Sequence, residues 1–189
     1  MFKNWVNILT TDCSVIELQN KQYVYPIFKN GRSSLTNFAT ENNLRFYKNK
    51  ELAQLDQITV FLRDPVERFV SGVNTVIEFE NISDIKQLLD QIEKLKFYNR
   101  HFIPQIFWMF HLYKYFKGDI KLQSVTDLYN IIPNRDSPNV KKLTQHRKDQ
   151  ILSINYSAYT EVDERLMDRH LNKTMPLKNI IEEFKHALS

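Results

Sequence analysis

Gln57-Ile58-Thr59-Val60-Phe61-Leu62 runs directly into Arg63-Asp64-Pro65-Val66-Glu67-Arg68-Phe69-Val70-Ser71. In the first stretch Ile58, Val60, Phe61 and Leu62 form a nearly continuous apolar run, the pattern of a strand covered on both faces. The second opens a helix. Asp64 suits the N-cap, Pro65 stands at the first helical position where its missing N–H costs little, and Glu67 completes a capping-box-like arrangement. Beyond it Phe69, Val73, Val76 and Ile77 make an apolar stripe, while Arg68, Ser71 and Thr75 share another face at i, i+3 and i+7. A buried strand that feeds a helix through a cationic turn predicts an α/β chain.

The same arrangement occurs once earlier. Tyr23 to Phe28 has high β-propensity, with Pro26 marking a bulge or an edge. Lys29-Asn30-Gly31-Arg32-Ser33-Ser34-Leu35 follows, and Leu35, Phe38 and Ala39 fall on one buried helical face that ends near Asn42-Asn43. Such turns lie side by side at the carboxyl ends of parallel strands, where helix N-termini offer N–H groups to an anion. Gly31 lets the backbone approach closely, Lys29 brings a point charge, and Ser33 and Ser34 bring hydroxyls and N–H groups. A Walker A loop is excluded, because its G-x-x-x-x-G-K-(S/T) order would need glycine where Pro26 stands and lysine where Arg32 stands.

The rest of the chain reads as scaffold around these turns. Residues 1 to 20 have no clear period and read as an irregular or weakly structured lead-in that could supply an edge element. Ile82 to Leu95 is an amphipathic helix with Ser83 as its cap and Ile85, Leu88, Leu89, Ile92 and Leu95 inward. Tyr98 to Gln105 is a polar and aromatic turn, and the bulky stretch to Phe116 fits a buried helix or a strand. Ile120 to Val125 reads as a strand, Pro133 to Asn139 as a loop, Val140 to Ile154 as a basic helix, and Leu177 to Leu188 as the last helix.

With 189 residues, 42% hydrophobic and 13% aromatic, the chain can bury a full core, and residues 1–189 are expected to form a single domain. The net charge of +4 is not gathered into a tail, so a small anionic ligand accounts for it as well as nucleic acid does. Cys13, the single cysteine, excludes an internal disulfide. Met1 to Thr10 lacks a secretory h-region, and Ile106 to Phe116 is interrupted by His111 and Lys114, so a soluble, cytoplasmic protein without membrane contact is expected.

Taken together, the two turns resemble those of sulfotransferases that use 3′-phosphoadenosine 5′-phosphosulfate (PAPS). Lys29 to Leu35 is similar to their 5′-phosphosulfate loop. Arg63 to Ser71 is similar to their 3′-phosphate motif, R-(D/N)-P-x-x-R-x-x-S, in the same order and at a similar separation. Where the family often carries an aromatic two positions after the serine, this chain has Val73. His101-Phe102-Ile103-Pro104-Gln105 resembles the H-x-x-P-Q element of the carbohydrate branch, with a counterpart of its aromatic-plus-acid signal in Tyr159 and Asp163. The resemblance spans about Tyr23 to Met167.

It implies a P-loop-kinase-like three-layer fold with a central parallel sheet flanked by helices. It also implies PAPS as donor, with Lys29, Asn30, Gly31, Arg32, Ser33 and Ser34 at the 5′-phosphosulfate and Arg63 and Ser71 at the 3′-phosphate. The acceptor would be a hydroxyl, on a glycan if the third element holds. Lys29 is the electrophilic helper and His101 the general base, with Glu78 and Glu80 as rival bases. Arg63 and Arg68 could instead pair with Asp64 or Glu67. Sulfuryl transfer requires no metal, and the chain has no Cys/His cluster with ligand spacing. Two other readings stay open: a kinase or NTPase in which the strand end near Asp64 binds Mg²⁺, and a non-catalytic binder of nucleotide or nucleic acid.

Overall fold

The computed structural model describes residues 13–97, 99–132 and 143–185. Its centre is a six-stranded sheet built from β1 (Ser14–Glu17), β2 (Tyr23–Tyr25), β3 (Phe46–Lys48), β4 (Gln57–Leu62), β5 (Asp119–Ser124) and β6 (Thr174–Pro176), in the order β3-β1-β2-β4-β5-β6. The expected parallel sheet proves to be mixed. β2, β4 and β5 run parallel, whereas β1 and β3 on one side and β6 on the other pair antiparallel. Only a short turn separates β1 from β2, closed by the Leu18 N–H on the Gln22 carbonyl, and so short a link forces antiparallel pairing.

Eight α-helices are described, besides a 3-10 helix at Asn49–Gln54: α1 (Arg32–Glu41), α2 (Pro65–Phe79), α3 (Ile85–Glu93), α4 (Ile106–Tyr113), α5 (Val125–Tyr129), α6 (Gln145–Leu152), α7 (Ser157–His170) and α8 (Leu177–Lys185). Strand alternation sorts them onto two faces. Ile58, Val60 and Leu62 of β4 point into a large core with Phe69 and Val73 of α2, Trp108 and Leu112 of α4, Leu166 of α7 and Ile180 of α8. Phe61 points the other way, with Ile16 and Val24, against Leu35 and Ala39 of α1 and Leu128 of α5. That is why the β4 sequence is apolar almost without a break. No helix among the described residues is long and apolar enough to cross a membrane.

α2 starts as its sequence requires: the Asp64 carboxylate accepts the Glu67 N–H at 2.8 Å and Pro65 occupies the first turn. Ile106 to Tyr113 is a helix, buried over most of its surface with only Phe110 and Tyr113 partly exposed, and so apolar that no period marks its sequence. Several boundaries move. Asp84, not Ser83, caps α3 by accepting the Gln87 N–H at 2.9 Å. Val125 belongs to α5 rather than to the preceding strand, because Ser124 and Asp127 form a capping box there. A strand, β1, stands within the supposed irregular lead-in. Tyr98, residues 1–12, the loop Pro133 to Asn139, Val140 with Lys141 and Lys142, and the last residues to Leu188 lie outside the described residues.

Candidate functional site

β2 and β4 are parallel neighbours, with Val24 opposite Thr59 and Tyr25 opposite Val60, so the turns after them lie side by side. The first turn is tight. Lys29 and Gly31 both adopt left-handed backbone, at φ 66° and φ 77°. Gly31 has a second constraint, since a Cβ there would stand 2.8 Å from Leu128 Cδ2 in α5. Its lack of a side chain therefore serves the turn and the packing of α5 directly. α1 follows from Gly31, and the first N–H groups of a helix have no intrahelical acceptor.

The second turn reaches across to the first. Arg63 Nη1 donates to the Lys29 carbonyl at 3.4 Å, and its Nε stands 3.5 Å from Glu67. That pair is partly exposed and screened, which leaves the guanidinium free to exchange its partner for a ligand. Arg68 pairs with neither Asp64 nor Glu67. It is buried, donating through Nε to the Phe28 carbonyl at 3.2 Å and through Nη1 to the Ile103 carbonyl. Burial, with the nearby charges of Arg63 and Arg68, pushes the Lys29 ammonium down to about 8. No acidic side chain among the described residues pairs with Lys29.

The third segment closes the site. Phe28 is its hub: the Arg32 guanidinium lies 4.0 Å from the ring centroid and that of Arg100 5.0 Å, while His101 meets the ring edge-on at 5.2 Å. Burial and the charges of Lys29, Arg100, Arg68 and Arg32 push the His101 imidazole down to about 4. It is therefore neutral near pH 7, with a buried Nδ1 that has no hydrogen-bond partner. His101 also lines a pocket of about 380 Å³ with Thr75, Val76, Phe79, Glu80, Asn99 and Arg100. Of the rival bases, Glu80 lines that pocket, whereas Glu78 lies 3.5 Å from Arg147.

Lys29, Arg32, Arg63 and His101 thus form one cluster of neighbouring groups around Phe28 and the two turns, and of the four only His101 lines the pocket. Ser33 is exposed and Ser34 buried at the start of α1, and Ser71 is half-buried on α2. Asn30 turns inward, its amide donating to the Phe61 carbonyl at 2.8 Å. Gln105 and Phe28 carry no role in the sequence reading, although Gln105 is visible in the H-x-x-P-Q element; Arg68 is placed there on the face of Ser71, without its carbonyl partners. Asp64, the metal-binding residue of the kinase reading, has its carboxylate engaged as the α2 cap.

Fold and site define an α/β chain with a cluster of cations at the carboxyl ends of two parallel central strands. Comparisons with family models, curated proteins and solved structures find no match.

Proposed function

We propose that the chain is a sulfotransferase that moves the sulfuryl group of PAPS to an acceptor hydroxyl, a carbohydrate hydroxyl in the reading the H-x-x-P-Q element favours. The observation that carries this reading is the junction of the two turns, with Lys29 free of any carboxylate among the described residues and Arg63 hydrogen-bonded to its carbonyl. A donor with a 5′-phosphosulfate and a 3′-phosphate needs two separated anion sites, for which the start of α1 with Lys29 and the Arg63 side chain with Ser71 are the candidates.

In this reading the acceptor oxygen attacks sulfur, the bond from sulfur to the bridging oxygen breaks, and adenosine 3′,5′-bisphosphate leaves. Lys29 offsets the charge that grows on the leaving oxygen, and Arg32, Ser33 and Ser34 hold the 5′ end. Arg63 and Ser71 hold the 3′-phosphate, and Gly31 and Asn30 shape the turn. His101 takes the acceptor's proton. It is neutral and able to accept one, and the anionic donor would offset the cations that depress its basicity. The pocket beside His101 would receive the acceptor, with Phe79, 56% exposed, as an apolar wall.

The test is a thermal-shift comparison of adenosine 3′,5′-bisphosphate with ATP plus Mg²⁺, followed by transfer of labelled sulfuryl from PAPS to a panel of glycans and phenols. Stabilisation by the bisphosphate without Mg²⁺, and transfer lost in Lys29→Ala, are expected. Stabilisation only by Mg²⁺-ATP would replace this reading with a kinase. Steeply salt-dependent nucleic-acid binding that ignores His101→Ala would replace it with a binding module.

A further inference from the structure

The two turns bring Lys29 close to Arg63 and Arg68 with no carboxylate paired to Lys29 among the described residues, and neutral groups tie the turns together. Gln105 is fully buried at the N-terminus of α4. Its Oε1 accepts the Arg63 N–H at 3.0 Å, and its Nε2 donates to the Arg63 carbonyl at 2.9 Å. One side-chain amide thus exchanges both hydrogen bonds with one residue's backbone, as a paired strand would, just past the end of β4. The same Oε1 accepts the Asn30 amide at 2.5 Å, and that amide also reaches the Phe61 carbonyl. Gln105 therefore touches both turns, 75 residues back to Asn30 and 42 back to Arg63.

Gln105 is itself fixed. The buried Asp163 carboxylate of α7 accepts the Gln105 N–H at 2.5 Å and the Ile106 N–H at 3.0 Å. A carboxylate at the start of α4 is favoured by the helix dipole and by these two donors. We infer that Gln105, anchored by Asp163, is a positioning residue that sets the separation of the Lys29 and Arg63 turns, and hence the spacing of the two anionic groups one ligand can present. The inference rests on the proposed donor class for its ligand readout. Neutral amides suit the role, because a cation would add to the repulsion and a carboxylate would occupy the anion site. A preorganised pair of anion sites spends no binding energy on drawing the cations together.

The test compares wild type with Gln105→Met, which keeps an unbranched chain of similar length, and with Gln105→Glu, which keeps the acceptors but loses the donor to Arg63. Adenosine 3′,5′-bisphosphate and 5′-AMP are titrated into each by calorimetry. The variants should bind the bisphosphate at least about tenfold more weakly while 5′-AMP, which engages one turn, changes little. A general loss of folded protein would leave the ratio of the two affinities unchanged, and an unchanged ratio overturns the inference. Amide hydrogen exchange without ligand gives a second readout: the Arg63 N–H should exchange faster in Gln105→Met while Val60 in β4 does not. If wild type binds neither nucleotide, the donor reading falls, and the exchange data decide on Gln105 alone: equal protection of Arg63 in wild type and variant overturns it.

Discussion

Raising the pH should weaken anion binding through Lys29 and through no other cation of the first turn. In the empty site burial and the charges of Arg63 and Arg68 lower its ammonium from 10.5 to about 8. A bound phosphate or phosphosulfate would return it toward the ordinary value. Below about pH 7 the proton is present in both states and affinity is flat. Between about 8 and 10.5 only the occupied site keeps it, so affinity falls by up to about tenfold per pH unit. At pH 9, one unit above the empty-site value, adenosine 3′,5′-bisphosphate should bind about tenfold more weakly than at pH 7.

Calorimetry at both pH values measures this, with Lys29→Arg as reference, since a guanidinium stays charged and the ligand's own titration cancels. The stability of the ligand-free protein provides a check of opposite sign. A lysine whose folded pKa is depressed leaves more protons on the unfolded chain between about 8 and 10.5, so its contribution to stability rises with pH there. Flat wild-type affinity from pH 7 to 9, or an equal slope in Lys29→Arg, would refute the reasoning.

Arg63→Ala removes a charged donor at the second turn and should weaken the bisphosphate by about 1.5–3 kcal/mol, at least tenfold; unchanged affinity by calorimetry would remove Arg63 from the site. Gly72 in α2 lies against the third segment, where an added Cβ would stand 2.7 Å from Phe102 Cβ and against the His101 carbonyl. Helix propensity alone favours Gly72→Ala by about 1 kcal/mol, whereas overpacking costs about 1–3 kcal/mol. A melting temperature lowered by several degrees is expected, and a raised one would mean that α2 does not press on His101. The His101 imidazole, held at about 4 against an ordinary 6.5, contributes stability that is present above 6.5 and lost as pH falls toward 4. Asp163, raised from 3.8 to about 6 by burial, acts in the opposite sense across that range. His101→Asn should therefore flatten the acid-side loss relative to wild type in melts between pH 4 and 7; parallel curves would contradict the burial of His101 among cations.

The unit from β4 into α2 was legible because each signal is local: a doubly covered strand, an aspartate cap and a proline at the helix start. β1, β3 and β6, at three or four residues, are too short for a period to emerge. For α4 helix and strand stayed open, because a helix buried over most of its surface lacks the polar face that would reveal its period. The cations of the two turns could be named from sequence since each lies next to its own strand. Gln105 could not be given a role, because the partners of its side chain, and the Asp163 carboxylate that takes its N–H, are more than forty positions away. Arg68 was placed beside the ligand turn by its helical spacing, but that its guanidinium binds two carbonyls depends on the path of the Phe28 and Ile103 backbones.

The left-handed lysine at position 29 carries a cost in the absence of ligand. Its backbone is strained, its ammonium is half-buried, and its nearest charges are of like sign. Such a residue works against the resting fold, and in the proposed reading the anionic donor offsets that cost. Selection of this chain for heat resistance alone, without ligand, would discard Lys29 early and leave a sturdier protein that lacks the cation the proposed transfer needs.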